Sequence, residues 1–425
     1  MKRIPLIAAC ILVAGAAVFG FVKVIPSVRD AIETQRHVRR AALRAPGAEA
    51  DWRKEFGDPD RKLAAFPRHE DSETSVRLVE LARIVGVDLA RPKSQQPGGL
   101  ESGDKRILSQ AISHYDEEEL TKPSGEIEPP SDAVRDFLEE RNREIGDVVT
   151  FLSTSESPEW KVDVLLGYEA PIPNLLGQIR LQRLLIAQAL SRAQLGREDE
   201  AGQAFRASWN LNASLRDRPD VISQLIAIAV ARMHAGLARR LTLDAAEWHE
   251  RLLDHDYRAS LLRALEVESI VGVRLWPGSS LWDRASRADF LDQRRAFLVG
   301  LRDSSVAADG QTQISSEGSR LESSPRSPGA IIEMMMVPNL ANSIRRADRL
   351  IIDLELTERI LEARTRRAGL GHWPAAIPGL ETSRMVGEHW NYFVGNDGRM
   401  TIYFSRELHW EGQRGWMLPL RYESN

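Results

Sequence analysis

Cysteine is almost absent from this chain of 425 residues, in which Cys10 is the only one. A single cysteine excludes a disulfide framework and a metal site built from cysteine ligands. Lysine is scarce too: only 8 of the 57 basic residues are Lys, and none follows Lys161. The net charge of −4 is small for this length. No field over the whole surface would therefore steer nucleic acid or an acidic substrate to the protein.

The sequence also lacks a recognisable catalytic, cofactor-binding or metal-binding motif. His249 and His255 stand six residues apart, whereas a metalloprotease helix needs its two histidines four apart to share one face. His372 and His389 could line a pocket with Asp397, but no nucleophile or third ligand stands at a recognisable spacing. No glycine-rich phosphate loop follows a predicted strand. The sequence therefore predicts no catalytic residue, no cofactor-binding residue and no metal ligand.

Two arginine clusters could read phosphate groups, one at residues 345–349 and the other at residues 364–367. They lie among acidic residues at helical spacing, and opposite charges three or four residues apart commonly solvate a helix surface. A nucleic-acid-binding domain should show a net basic stripe. We therefore expect an ordinary charged surface here and no nucleic-acid partner.

Long uncharged runs are missing from the chain except at the N-terminus, where residues 4–22 carry no charge. At about 1.5 Å per residue this run spans roughly 28 Å, close to the hydrocarbon thickness of a bilayer. It predicts a retained membrane anchor. Two alternatives are a cleaved signal peptide with a small-residue site at 14–16, and a lipoprotein signal with Cys10 as the lipidated residue.

The orientation of this anchor follows from the charges that flank it. Lys2 and Arg3 favour a cytoplasmic N-terminus, although basic residues from Lys23 to Arg40 compete on the other side. Long domains cross the membrane largely regardless of charge. We expect a single-pass protein of the bacterial inner membrane with its large domain in the periplasm or otherwise outside the cytoplasm.

Hydrophobic spacing predicts a mainly α protein, with antiparallel helix pairs in a helical array and a small C-terminal antiparallel β-hairpin module. The predicted organisation has five parts. They are the anchor and a helical stalk (1–45), a helix and loop connector (46–131), a helical core domain (132–302), a disordered linker (303–328) and a helix plus hairpin module (329–425). Ala45-Pro46-Gly47 is expected to end the stalk.

Two elements carry sharper expectations. The helix over residues 221–237 is the most apolar one outside the anchor, so it should lie in the centre of the core, with Ile226 buried. In the last part, a turn at 395–398 predicts a hairpin over residues 390–404, and residues 416–418 are a candidate third strand. A helix over 340–368, kinked near Pro338, should cover the hairpin with Ile344, Ile351 and Leu354.

One pattern is typical of a repeat protein. Gly196, Ala201, Phe205 and Ser208 stand at the spacing of the contacts in a tetratricopeptide repeat, but only one unit matches and such repeats need about three.

The order of features also resembles a family of uncharacterised, signal-anchored bacterial proteins. The resemblance rests on the anchor, on segments 86–89, 173–176 and 218–225, and on a Gly-His-Trp-Pro loop at 371–374 before the hairpin. No established activity can be inferred from this resemblance. The loop and hairpin faintly resemble the tail of secretion pseudopilins, without the acidic metal-binding positions expected there.

Two functions remain open at this point. The first is a non-enzymatic envelope protein that binds the membrane through residues 4–22 and associates with a protein partner or with itself. Antiparallel helix pairs form grooves suited to such contacts. The second is an envelope enzyme, hydrolytic in type, with a site at the aromatics, His372 or His389 of the C-terminal module. A pocket of polar groups with shifted pKa values would favour the enzyme, and an exposed apolar patch would favour the binding protein.

Overall fold

The computed structural model describes residues 28–90, 103–122, 126–243, 245–303, 328–406 and 418–424. The predicted anchor at residues 4–22 and residues 304–327 of the predicted linker lie outside this part of the chain. The structure is mainly α-helical with a small antiparallel sheet near the C-terminus, as the sequence predicted.

The helices and strands are numbered in chain order. The first seven helices are α1 (Val28–Phe56), α2 (Pro59–Ala65), α3 (Glu73–Ile84), α4 (Gly103–Thr121), α5 (Asp132–Glu140), α6 (Asn142–Thr154) and α7 (Leu175–Gln194). The remaining helices are α8 (Glu198–Arg216), α9 (Val221–Arg240), α10 (Ala245–Leu253), α11 (Tyr257–Val273), α12 (Leu281–Asp303) and α13 (Pro328–Leu370). The strands are β1 (Trp390–Val394), β2 (Met400–Phe404) and β3 (Arg421–Glu423), and a short 3₁₀ helix spans Val164–Glu169.

Helix α1 corrects one expectation, because it continues through Pro46 and Gly47, where the sequence predicted a break. Its small and aromatic side chains pack on the body of the protein, among them the buried Ala45, Ala48 and Trp52. Polar contacts fasten it along α12, including a hydrogen bond between His37 and Asp289 at 2.8 Å and an ion pair of Arg302 with Glu55 at 2.8 Å. Burial of this face outweighs the local cost of a proline inside a helix.

Helix α9 lies at the centre of the helical body and packs against α4, α7, α8, α11 and α13. Asp220 begins it, because its carboxylate accepts a hydrogen bond from the backbone N–H of Ser223 at 2.8 Å. The expectation that Ile226 is buried is wrong. Ile226 is half-buried and Ile222 is 55% exposed, while Ile228 is 1% exposed. Neighbouring helices approach from the side of Ile228 and His234, which periodicity alone does not reveal.

Helix α13 is buried on two faces. Ile352, Leu356 and Ile360 join the core beneath the sheet, with Trp390 and Ile402 on the strands. Ile344 and Leu354, which were predicted to cover the hairpin, belong instead to the core of the helical body, and Ile351 is half-buried. The hairpin is therefore covered by α13 as predicted, but through a different face of that helix.

The sheet has the order β1-β2-β3, with both pairs antiparallel. The third strand of the described sheet lies at Arg421–Glu423, while residues 416 and 417 of the candidate third strand lie outside the described residues. Leu418 instead enters the main core, where its side chain meets Gly236 of α9. A Cβ at position 236 would come within 2.9 Å of Leu418, so the glycine allows the close approach.

The arginine clusters at 345–349 and 364–367 also depart from expectation. Arg349 is 3% exposed and bonds Asp353, while its Nη2 donates to the carbonyl of Leu418 at 2.5 Å. Arg364 donates to carbonyls at the end of α9, including that of Leu241 at 2.9 Å. Both arginines thus fasten α13 to other elements. Arg366 fits the expected role of a surface charge and pairs with Glu362 on the same helix.

Candidate binding pocket at the start of helix α9

The histidines that sequence reasoning considered do not come together as a site. His372 and His389 are exposed, as is Asp397. His255 is half-buried and meets the ring of Tyr257 edge-on, with ring centroids 4.7 Å apart. Within the described ranges no group of three or more His, Cys, Asp or Glu residues is arranged to hold a metal ion.

A serine and a histidine do meet inside the helical body. The Ser208 hydroxyl lies 2.8 Å from Nε2 of His234 and 2.5 Å from Oε1 of Gln182. All three side chains are fully buried, so no substrate can reach the hydroxyl. Burial, with Arg216 as a smaller cause, lowers the pKa of His234 well below its usual value. The arrangement is a polar link between α7, α8 and α9, in which a neutral imidazole holds three helices in register.

An open pocket of about 180 Å³ lies where α9 begins, and we call it the Ile222 pocket. Three separate stretches form its walls: residues 162–172, residues 218–222 and residues 267–271 of α11. Most of the lining is apolar, with Val164, Val221 and Val271 at its base. This volume would accommodate one apolar side chain or a ring of similar size.

Arg218 holds two of these walls together. Its guanidinium donates to the carbonyl oxygen of Trp160 at 3.1 Å and to that of Pro171 at 3.0 Å. On the other side it donates from Nε to Asp220 at 3.1 Å, the residue that caps α9. The side chain is 6% exposed. Since its donors are engaged in this way, Arg218 shapes the pocket and does not offer a free charge to a ligand.

The pocket also contains a carboxyl group. Glu268 of α11 lines it and is half-buried. Burial raises the pKa of Glu268, Arg294 opposes that rise, and Asp220 adds to it. A carboxyl group in such surroundings can accept a hydrogen bond from a ligand or form an ion pair with a positively charged group of the ligand. Asp163 and Asp220 line the pocket too, and their carboxylates accept hydrogen bonds from the backbone N–H groups of Leu165 and Ser223.

Exposed apolar side chains surround the mouth of the pocket. Tyr168, Ile172 and Ile222 line it and are also exposed, with 56% of Tyr168 and 55% of Ile222 accessible to solvent. Leu166 and Leu176, close by in the chain, are exposed as well. A group of exposed apolar residues around a concave site is typical of a surface that binds another molecule.

Sequence reasoning missed this pocket because its walls are far apart in the chain. Two of its neighbouring stretches, 173–176 and 218–225, had been singled out only for a family resemblance. The structure links them through Pro171 and Arg218, and Asn174 further donates to the carbonyl of Asp88 at 2.8 Å. The available signal was an Arg-Pro-Asp sequence before an apolar helix. The aspartate predicts a cap for that helix, and the arginine predicts a donor that pairs with the aspartate.

Helix α9 is, within the part of the chain that the structure describes, the one helix long and apolar enough to cross a membrane, with a mean hydropathy of 1.6. Inside the protein 72% of that stretch is buried, and a core helix of a folded body gives the same pattern.

Comparisons with models of known protein families, with curated proteins and with solved structures find no match to this chain.

Proposed function

We propose that this is a membrane-anchored, non-enzymatic interaction or scaffold protein of the bacterial cell envelope, which binds a partner protein at the Ile222 pocket. The observation that carries the proposal is the exposed apolar rim of Tyr168, Ile172 and Ile222 around an apolar cavity. The paired helices α7 and α8, which carry the tetratricopeptide-like spacing, support the same class of function.

The chemistry of the pocket indicates which partner segment fits. An apolar side chain would fill the space above Val164 and Val271, removing the rim from water. Glu268 lies in the same pocket, and the aspartates 163 and 220 also line it. The partner segment should therefore carry a Lys or Arg next to its apolar anchor, because that charge would meet the carboxyl groups.

Two peptides of matched length test this directly, one with leucines flanked by lysines and the other with the same leucines flanked by glutamates. Fluorescence polarisation with the full chain in non-ionic detergent should show tighter binding of the lysine peptide. Ile222→Asp should abolish binding. Val76→Asp, an equally exposed position on α3, is the matched control and should leave it unchanged. Equal binding of both peptides would contradict the predicted preference for a basic partner segment. Unchanged binding by Ile222→Asp would show that the peptide does not bind at the Ile222 pocket.

The anchor is tested separately by protease digestion of spheroplasts. We expect the large domain to be cut from outside, because residues 4–22 should span the inner membrane with the N-terminus in the cytoplasm. A domain that stays protected in spheroplasts and is cut only after lysis would contradict the external placement.

A further inference from the structure

A second cavity, of about 350 Å³, lies between the end of α3, α4 and α7. It shares no lining residue with the Ile222 pocket. Four arginines line it, at positions 83, 141, 180 and 183, and none of its described lining residues is Asp or Glu. Its size falls within the range of small-molecule sites. We call it the arginine pocket.

Arg183 is half-buried, with a side chain that is 18% exposed. Its Nη2 donates to Glu117 at 2.9 Å. Its Nη1 is buried and finds no hydrogen-bond partner among the described residues. A buried charged donor with an unmade hydrogen bond is unfavourable.

The surrounding charges compensate these arginines only in part. Arg141 lies 3.6 Å from Glu144, which is long for a hydrogen bond, and Arg180 makes a polar contact of its own. Asp116 of α4 is fully buried beside Arg183, and neither of its oxygens finds a hydrogen-bond donor in the described structure. Burial raises the pKa of Asp116 well above its usual value, although Arg183 opposes the rise. The charged form of Asp116 is thus disfavoured, and Glu117 is the carboxylate that pairs with Arg183.

Most of the other residues that line the arginine pocket are apolar. Leu108 and Ile112 come from α4, Leu184 from α7, and Val85 and Phe137 add to this apolar lining. A ligand in this cavity would meet both guanidinium groups and aliphatic or aromatic side chains.

We propose that the arginine pocket binds a small amphiphilic anion, with a phosphate or carboxylate group on Arg183, Arg83 and Arg141 and a short apolar chain against Leu108 and Ile112. Guanidinium groups suit such anions because their paired N–H donors match the two oxygens of a carboxylate or phosphate. The apolar lining excludes a fully hydrated ion as the best-fitting ligand. This site is independent of the partner-binding surface at Ile222.

Isothermal titration calorimetry on the full chain in phosphatidylcholine nanodiscs tests the proposal with hexyl phosphate as the probe. Hexanol lacks the charge and inorganic phosphate lacks the chain, so each should bind at least about tenfold more weakly than hexyl phosphate. The affinity for hexyl phosphate should fall as salt is raised. If hexanol binds as well as hexyl phosphate, or inorganic phosphate does, the proposed ligand class is wrong.

Variants then locate the site. Arg83 and Arg141 are exposed, so the double variant Arg83→Gln/Arg141→Gln should fold and melt like the original chain while its affinity for hexyl phosphate falls about tenfold or more. The control is Arg77→Gln, which removes a guanidinium from α3, the helix that carries Arg83. Arg77 is paired with Glu80 and lies outside the pocket, so this variant should bind hexyl phosphate as before. A double variant with unchanged affinity would overturn the assignment.

The natural anion could be free in solution or could be the headgroup of a lipid. Repeating the titration in nanodiscs that contain phosphatidic acid separates the two sources. A lower apparent affinity for hexyl phosphate there shows competition by the lipid headgroup. An unchanged affinity assigns the pocket to a soluble anion.

Discussion

At the scale of single residues, buried charges join several elements of this protein. Asp353 of α13 is fully buried among three arginines. Its carboxylate lies 3.2 Å from Arg232, 3.3 Å from Arg349 and 3.7 Å from Arg239. Arg239 also donates to the backbone carbonyls of Asp353 at 2.7 Å and Pro419 at 3.0 Å. One carboxylate thus joins α9, α13 and the C-terminal segment.

The first prediction concerns this carboxylate. Asp353→Asn keeps the shape but leaves three buried guanidinium groups with less compensating charge, so we expect a loss of about 3–5 kcal/mol in the free energy of unfolding. Urea unfolding followed by circular dichroism measures it. Glu362→Gln, which breaks a more exposed pair with Arg366 on the same helix, is the control and should change stability by no more than about 1 kcal/mol. Similar losses in the free energy of unfolding for both variants would show that Asp353 contributes no more to stability than the more exposed Glu362.

The second prediction concerns His234, whose pKa is lowered by burial. The unfolded chain takes up a proton at this residue near pH 6.5, while the folded protein does so only at a much lower pH. The stability that depends on neutral His234 is therefore fully present above about pH 6.5 and is lost as the pH falls below it, by up to about 1.4 kcal/mol per pH unit.

Urea unfolding between pH 7.5 and pH 5.5 should show a steeper loss of stability for the original chain than for His234→Gln. His114→Gln, at a side chain that is 73% exposed, is the control and should keep the original pH dependence. If His234→Gln also keeps it, another group is responsible for the loss.

At the scale of elements, the ends of the helices follow local chemistry and their buried faces do not. Ser72 and Asp220 cap α3 and α9, and Gly86 and Gly196 follow helix ends with positive φ angles of 84° and 72°. These residue types are common at such positions, so the residues next to each end account for it. Helix α1 runs through Pro46 because its buried face is held by α12, and no local signal reports that contact.

The third prediction follows from the buried face of α9. Ile228→Asp places a carboxylate in the core, where an unpaired charge costs several kcal/mol, so the protein should lose its cooperative unfolding transition. Ile222→Asp, on the exposed side of the same helix, should fold with nearly unchanged stability. Ile226→Asp should fall between the two. A stable Ile228→Asp protein would show that the interior of α9 has been assigned to the wrong face.

At the scale of the whole molecule, the C-terminal sheet and the helical body share one helix. Helix α13 contributes Leu356 and Ile360 to the core of the sheet and Ile344 and Leu354 to the core of the body. Leu418 then returns to the body and packs on Gly236. These contacts join the sheet to the helical body.

The fourth prediction tests this arrangement. Removing residues 418–425 takes away Leu418 and two carbonyl acceptors of Arg239 and Arg349, so we expect α9 to lose protection as well as the sheet. Hydrogen exchange over Val221–Arg240 measures the effect. The point variant Leu418→Ala should show a smaller increase in the same segment. Normal protection of α9 in the truncated protein would mean that the sheet is a separate module.

The sequence by itself determined the fold class and the β1–β2 hairpin, because hydrophobic period and turn residues act over a few neighbouring positions. Only the tertiary structure decided which side of α9 is inside, which face of α13 meets the sheet, and that Arg349 and Arg364 are structural residues. It alone brought Tyr168, Ile222 and Glu268 to one pocket and Arg83, Arg141 and Arg183 to another. These groups come from segments that are far apart in the chain, and their meeting depends on how whole helices pack rather than on any local preference.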